Sequence, residues 1–129
     1  LRTYDDQLLA KLKDHCIQIA EGYADTFNLG IDVEWVEEFP ATVNNAEAVQ
    51  IIEAAAGKVG AEIYHKNEPF SWSEDFGHFT SEYKGAMFGL GAGKNHPALH
   101  AQTYDFPDEI ITTGISMFTQ IINETIGRS

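Results

Sequence analysis

Cysteine is nearly absent: Cys16 stands alone, so no disulfide can close within the chain and a small cross-linked framework is excluded. Within its helical pattern Cys16 reads as a small buried hydrophobe. A reducing compartment fits it, and a cytoplasmic location is expected. Positive charge is scarce too. Eight Lys and Arg against twenty Asp and Glu leave a net charge of −12, a field that repels phosphate backbones and anionic lipid surfaces. Neither nucleic acid nor membrane is an expected partner. No apolar run nears the roughly 18 residues of a membrane span, and no basic-then-apolar leader opens the chain. Internal repeats and low-complexity stretches are missing as well. The five histidines, His15, His65, His78, His96 and His100, form no convincing ligand pair. His96 and His100 are four apart, but Pro97 between them argues for a loop, so no complete zinc site is legible.

What is present is a chain able to fold. A hydrophobic share of 43% with 12% aromatics suits a buried core. Asp5 and Asp6 precede Leu8, Leu9, Leu12, Cys16, Ile19, Ala20, Tyr23 and Phe27, the three- and four-residue steps of one helix face, which should stop at Asn28-Leu29-Gly30 with Gly30 as the left-handed cap. Ile31, Val33 and Trp35 alternate with Asp32 and Glu34, the period of a strand. Asn44 or Asn45 should cap a second helix buried along Val49, Ile52, Ala55, Ala56 and Val59 and broken at Gly60. Residues 61–64 and 86–90 are further strand candidates, and 74–83 a short helix capped by Ser71 or Ser73. Pro107, followed by Asp108 and Glu109, should open a last helix with Ile110, Ile111, Ile115, Phe118, Ile121, Ile122 and Ile126. Helices alternating with strands predict a layered α/β fold. Phe39-Pro40-Ala41-Thr42-Val43-Asn44 is the best boundary, and the start at Leu1, not Met, suggests a slice of a larger protein.

Three segments are candidates for chemistry. Ser73-Glu74-Asp75-Phe76 sets two carboxylates side by side at a helix start, where acids ordinarily serve the helix dipole. Gly89-Leu90-Gly91-Ala92-Gly93 lacks the Lys-Ser or Lys-Thr of a phosphate loop and reads as a tight turn. His100 lies in a loop after an apolar segment. With Tyr104, Asp105, Asp108 and Glu109 nearby to orient its ring, it has the elements of a metal ligand and its supporting shell.

Four segments, taken in order, resemble a known family. They are Leu1-Arg2-Thr3-Tyr4-Asp5, Phe39-Pro40-Ala41-Thr42-Val43-Asn44, Ser73-Glu74-Asp75-Phe76, and Leu99-His100 with Tyr104-Asp105-Phe106; Gly85-Ala86-Met87-Phe88-Gly89-Leu90-Gly91 falls between the last two. Together they are similar to the aminoacylase and carboxypeptidase family of zinc-dependent exopeptidases, peptidase family M-twenty, in its branch of hippurate hydrolase, auxin-amino-acid hydrolase and N-acetyl-diaminopimelate deacetylase. The resemblance covers essentially the whole chain.

It implies part of an αβα catalytic domain of the zinc-exopeptidase type plus half of a ferredoxin-like inserted domain. Residues 1–38 would be the second half of the inserted lid and dimerisation domain, and residues 39–129 the carboxy-terminal part of the catalytic domain. His100 would be the last metal ligand. Arg2 would lie near the substrate or the dimer contact, and Asn44, Ser73, Glu74 and Asp75 beside the cleft. The general base and the remaining ligands are expected upstream; Cys16 is not the family's cysteine, since no His-Asp follows it. The implied chemistry is metal-assisted hydrolysis of an N-acyl-amino acid or peptide amide by two divalent ions, zinc, with manganese or cobalt as alternatives. The implied assembly is a homodimer through the inserted domain. This piece alone should be inactive and should bind no metal tightly. Trp72, where relatives commonly carry glycine, and Ala101, where they often carry serine, leave the substrate preference open. The competing reading is a non-catalytic dimerisation or protein-binding module derived from the family.

Overall fold

The computed structural model describes residues 1–70 and 75–127. Among the described residues there are four helices: α1 (Asp6–Thr26), α2 (Ala46–Val59), α3 (Gly77–Glu82) and α4 (Ile110–Ile126). They fall into two compact units. One comprises Leu1–Val43 with Lys66–Tyr83, and the other Asn44–His65 with Lys84–Ser129.

In the first unit, α1 begins where the Asp5 side chain accepts the Leu8 N–H at 2.7 Å, satisfying a donor that the helix start leaves unpaired. It ends in a Schellman closure, with Leu29 N–H on the Ala24 carbonyl and Asn28 N–H on that of Asp25. The left-handed residue of this closure is Asn28, at φ 52°, and not the expected Gly30. Asparagine tolerates that region better than other residues with a Cβ, so the stop falls two residues early. None of the expected α1 stripe is buried: Leu8, Ile19, Tyr23 and Phe27 are exposed and Leu9, Leu12, Cys16 and Ala20 half-buried, while the buried residue of the helix is Ala24, outside that stripe.

The segment after α1 is pinned back onto it by polar contacts. Lys13 lies 4.9 Å from the Trp35 ring centre and pairs with Glu38, and Asp6 accepts the Ala41 N–H at 2.7 Å. Helix α3 meets the same segment: Gly77 is buried against the Pro40 carbonyl, and His78 meets Phe39 edge-on at 6.1 Å. No side chain caps α3, which starts after Phe76; the expected caps Ser71 and Ser73 lie outside the described residues.

The second unit is a pair of helices packed face to face. Asn45 caps α2 by accepting the Glu47 and Ala48 N–H groups, and Gly60, at φ 73°, closes it. The buried centre is Ala55, Ala56 and Met117, with Ile52, Val59, Ala61, Phe88 and Ile121 around it. Small residues on α2 let Met117 of α4 sink between them to 3% exposure, a burial worth roughly 1.5–3 kcal/mol. Gly114 admits Leu90 to the same surface, and Lys58 pairs with Glu124 across the two helices at 2.5 Å. Helix α4 starts three residues after Pro107, whose carbonyl accepts the Ile110 N–H in the preceding turn. Its inward face runs through Ile110, Gly114, Met117 and Ile121. Ile111, Ile115, Phe118, Ile122 and Ile126 of the expected stripe remain exposed.

The α/β expectation is overturned, both for the αβα part and for the ferredoxin-like half: the described residues contain helices and no strand. Segments 31–35, 61–64 and 86–90 are not helical, but none is paired in a ladder. Alternation settles which side chains share a face, whereas a strand exists only when a neighbouring chain takes its N–H and C=O groups. Ile31, Val33 and Trp35 accordingly stay substantially exposed.

Candidate functional site

The loop between Leu90 and α4 carries His100 and is built from consecutive turns. His96 N–H reaches the Gly93 carbonyl at 3.3 Å, with Gly93 at φ 98°. Ala101 N–H then bonds the Ala98 carbonyl at 2.9 Å, and Tyr104 N–H the Ala101 carbonyl at 2.9 Å. The His96 ring packs edge-on against Tyr104 at 5.2 Å, joining the two sides of the loop, and His96 Nδ1 lies 3.0 Å from the Pro97 carbonyl oxygen. His100 is the third residue of the Ala98–Ala101 turn, with φ 67°. That position in a turn with positive φ ordinarily takes glycine or asparagine; a histidine there is strained, and such outliers gather at functional sites. The side chain is exposed.

The expected shell of acids around His100 is not formed. The one histidine–carboxylate pair among the described residues is His65 with Glu53, at 3.7 Å. No group of three or more His, Cys, Asp or Glu among the described residues is placed to hold a metal ion.

Of the other candidates, Asn44 shares a unit with His100, while Arg2 and Asp75 belong to the first unit. Arg2 is exposed in the run ahead of α1. Asp75 is exposed, and its backbone carbonyl accepts the His78 N–H at 3.0 Å in the turn that enters α3. Ser73 and Glu74 lie outside the described residues. The Asn44 side chain is committed to the backbone of Met87: Oδ1 accepts the Met87 N–H at 2.8 Å and Nδ2 donates to the Met87 carbonyl at 2.9 Å. Neither this bracket nor the contact of His96 with Tyr104 was foreseen. The first joins residues 43 apart in sequence, and the second lacks any periodic signal.

No solved structure matches the chain. Among curated proteins it is similar to an uncharacterized hydrolase of Staphylococcus aureus strain USA300, 27% identical over 128 residues that make up 95% of this chain and 33% of the relative. An uncharacterized hydrolase of Staphylococcus epidermidis is 26% identical over 127 residues, with the same coverage of both chains. The chain thus spans about a third of the length of the curated relatives it matches. A family model aligned to residues 7–124 takes in almost all of it, and on that match the chain belongs to peptidase family M20/M25/M40.

Proposed function

We propose that this chain is the part of a metal-dependent amidohydrolase that supplies one metal ligand, His100, and a portion of the substrate cleft. The family is generally metal-dependent, and its relatives here are hydrolases. The observation that carries the reading is the conformation of His100, an exposed imidazole held at φ 67° on a short turn. Left-handed backbone at a residue with a Cβ costs about 1–2 kcal/mol; the exposed Glu37, at φ 56°, bears the same cost, so the conformation supports the reading through the place of His100 in the ordered set of family motifs. The substrate class is N-acyl-amino acids or short peptides, the metal is zinc, and the remaining ligands and the general base come from sequence outside these 129 residues. Residues 1–38 belong to a lid and dimerisation domain and residues 39–129 to the catalytic domain. In that arrangement Arg2, Asn44, Ser73, Glu74 and Asp75 flank the cleft, and the isolated chain is inactive. Among the described residues no helix is long and apolar enough to cross a membrane.

The test is a chimera in which this chain replaces the matching stretch of the Staphylococcus aureus relative, assayed on N-acetyl and N-benzoyl amino acids. Release of free amino acid that stops with a chelator, and falls at least a hundredfold in His100→Ala, is expected. A folded, active chimera indifferent to His100→Ala sinks the reading. The second reading, a module that works by association, draws on the exposed Ile111, Ile115, Phe118 and Ile122 of α4. It requires a stable dimer in sedimentation that Ile115→Lys abolishes.

A further inference from the structure

We propose that Asn44 is a positioning residue: its carboxamide takes the place of a neighbouring strand for Met87 and so fixes the segment that delivers the His100 loop. A backbone residue in a sheet offers one acceptor and one donor to its opposite number, and the planar amide of asparagine offers the same pair from a single side chain. Asn44 uses both on Met87, at 2.8 and 2.9 Å.

The next residue continues the pairing, since the Asn45 N–H bonds the Gly85 carbonyl at 2.9 Å while the Asn45 side chain caps α2. The start of α2 therefore grips residues 85–87 with three hydrogen bonds. Once Met87 is held, Phe88 is presented to Phe118 at 5.7 Å between ring centres, and Leu90 to Gly114. Beyond Leu90 the loop is tied by its own turns and by the His96–Tyr104 contact. Its orientation is inherited from the 85–90 segment at one end and from α4 at the other. Met87 is only half-buried, so without Asn44 its N–H and C=O would turn to water and the segment would lose its reference to α2.

This role rests on the reading of His100 as a ligand for its purpose, but its test does not. In the metal-free 129-residue chain, Asn44→Ala should speed hydrogen exchange at the Met87 amide about tenfold, the cost of one lost hydrogen bond. It should also shift the His100 ring resonances while those of Met117 stay in place. Asn44→Asp keeps an acceptor for the Met87 N–H and should restore most of that protection. Asn45→Ala, which removes the α2 cap and leaves the bracket intact, controls for general loosening and should leave His100 unmoved. The proposal is overturned if Met87 exchange is unchanged in Asn44→Ala, or if Asn45→Ala moves His100 as far as Asn44→Ala does. It is equally overturned if Asn44→Ala loses α2 and α4 altogether and Asn44→Asp leaves Met87 unprotected. Loss of the hydrolase reading through an active His100→Ala chimera would leave the Met87 result standing, so the two failures are separable.

Discussion

A Cβ placed on Gly77 would lie 2.9 Å from the Pro40 carbonyl carbon and closer still to its oxygen. The obstruction is backbone, which cannot rotate aside as a side chain end can. Helix α3 and the Phe39-Pro40 turn are thus in contact only because residue 77 has no side chain. Gly77→Ala should destabilise the first unit by roughly 1–3 kcal/mol, the usual cost of overpacking, and should separate His78 from Phe39. Gly57 is the counterpart: it lies inside α2 with nothing within 4 Å of its would-be Cβ. Gly57→Ala should stabilise by about 0.5–1 kcal/mol, since glycine in a helix only adds chain entropy to be lost. Thermal or urea unfolding of both variants checks the signs; a neutral Gly77→Ala would refute the contact.

In the α2–α4 pair Met117 is the largest side chain at the buried centre. Met117→Ala should cost about 2–5 kcal/mol, because the helices cannot close fully over the vacated volume. Truncating Ile115 on the outer side of α4, 63% exposed, should cost well under 1 kcal/mol. Equal losses at the two positions would mean that the outer stripe is covered in solution.

The caps of α2 were legible in the sequence, while the ends of α1 and α4 and the tertiary pairings were not, for a reason that the residues make plain. Asn45 and Gly60 act on neighbours within four residues, so a local reading of side-chain chemistry finds them, whereas α1 is closed by Asn28 and not by the expected Gly30. The same holds for the α2 stripe, which becomes the core around Ala55 and Ala56. The strands at 31–35, 61–64 and 86–90 depended on partners that no local pattern specifies, and the described residues give them none. The α4 stripe was found as a set of apolar positions, but which side packs was decided by Gly114, a residue that hydrophobicity does not flag. His100 was singled out by its place in an ordered set of motifs; its left-handed backbone carries no signal in residue type.

That backbone conformation gives a prediction of its own. At φ 67° alanine and histidine bear the same Cβ penalty, and glycine bears none. His100→Gly should therefore be about 1 kcal/mol more stable than His100→Ala, while both abolish any function of the imidazole. Unfolding curves of the two variants measure the difference directly. If they coincide, His100 does not hold the left-handed turn in solution, and the strain argument for its function falls with it.

The last prediction concerns metal. Structural zinc sites with a full set of ligands bind with about 10–16 kcal/mol in favourable cases, and that energy comes from several donors closing around one ion. Here the described residues offer no cluster of three, and His100 sits exposed on its turn. Calorimetric titration of the 129-residue chain with zinc should show no stoichiometric nanomolar binding. Histidine ring resonances should respond only at metal concentrations in the high micromolar range or above, and His100→Ala should remove only its own response. Tight one-to-one binding by the chain would show that its residues assemble a site without upstream ligands. The division of labour proposed for His100 would then be wrong.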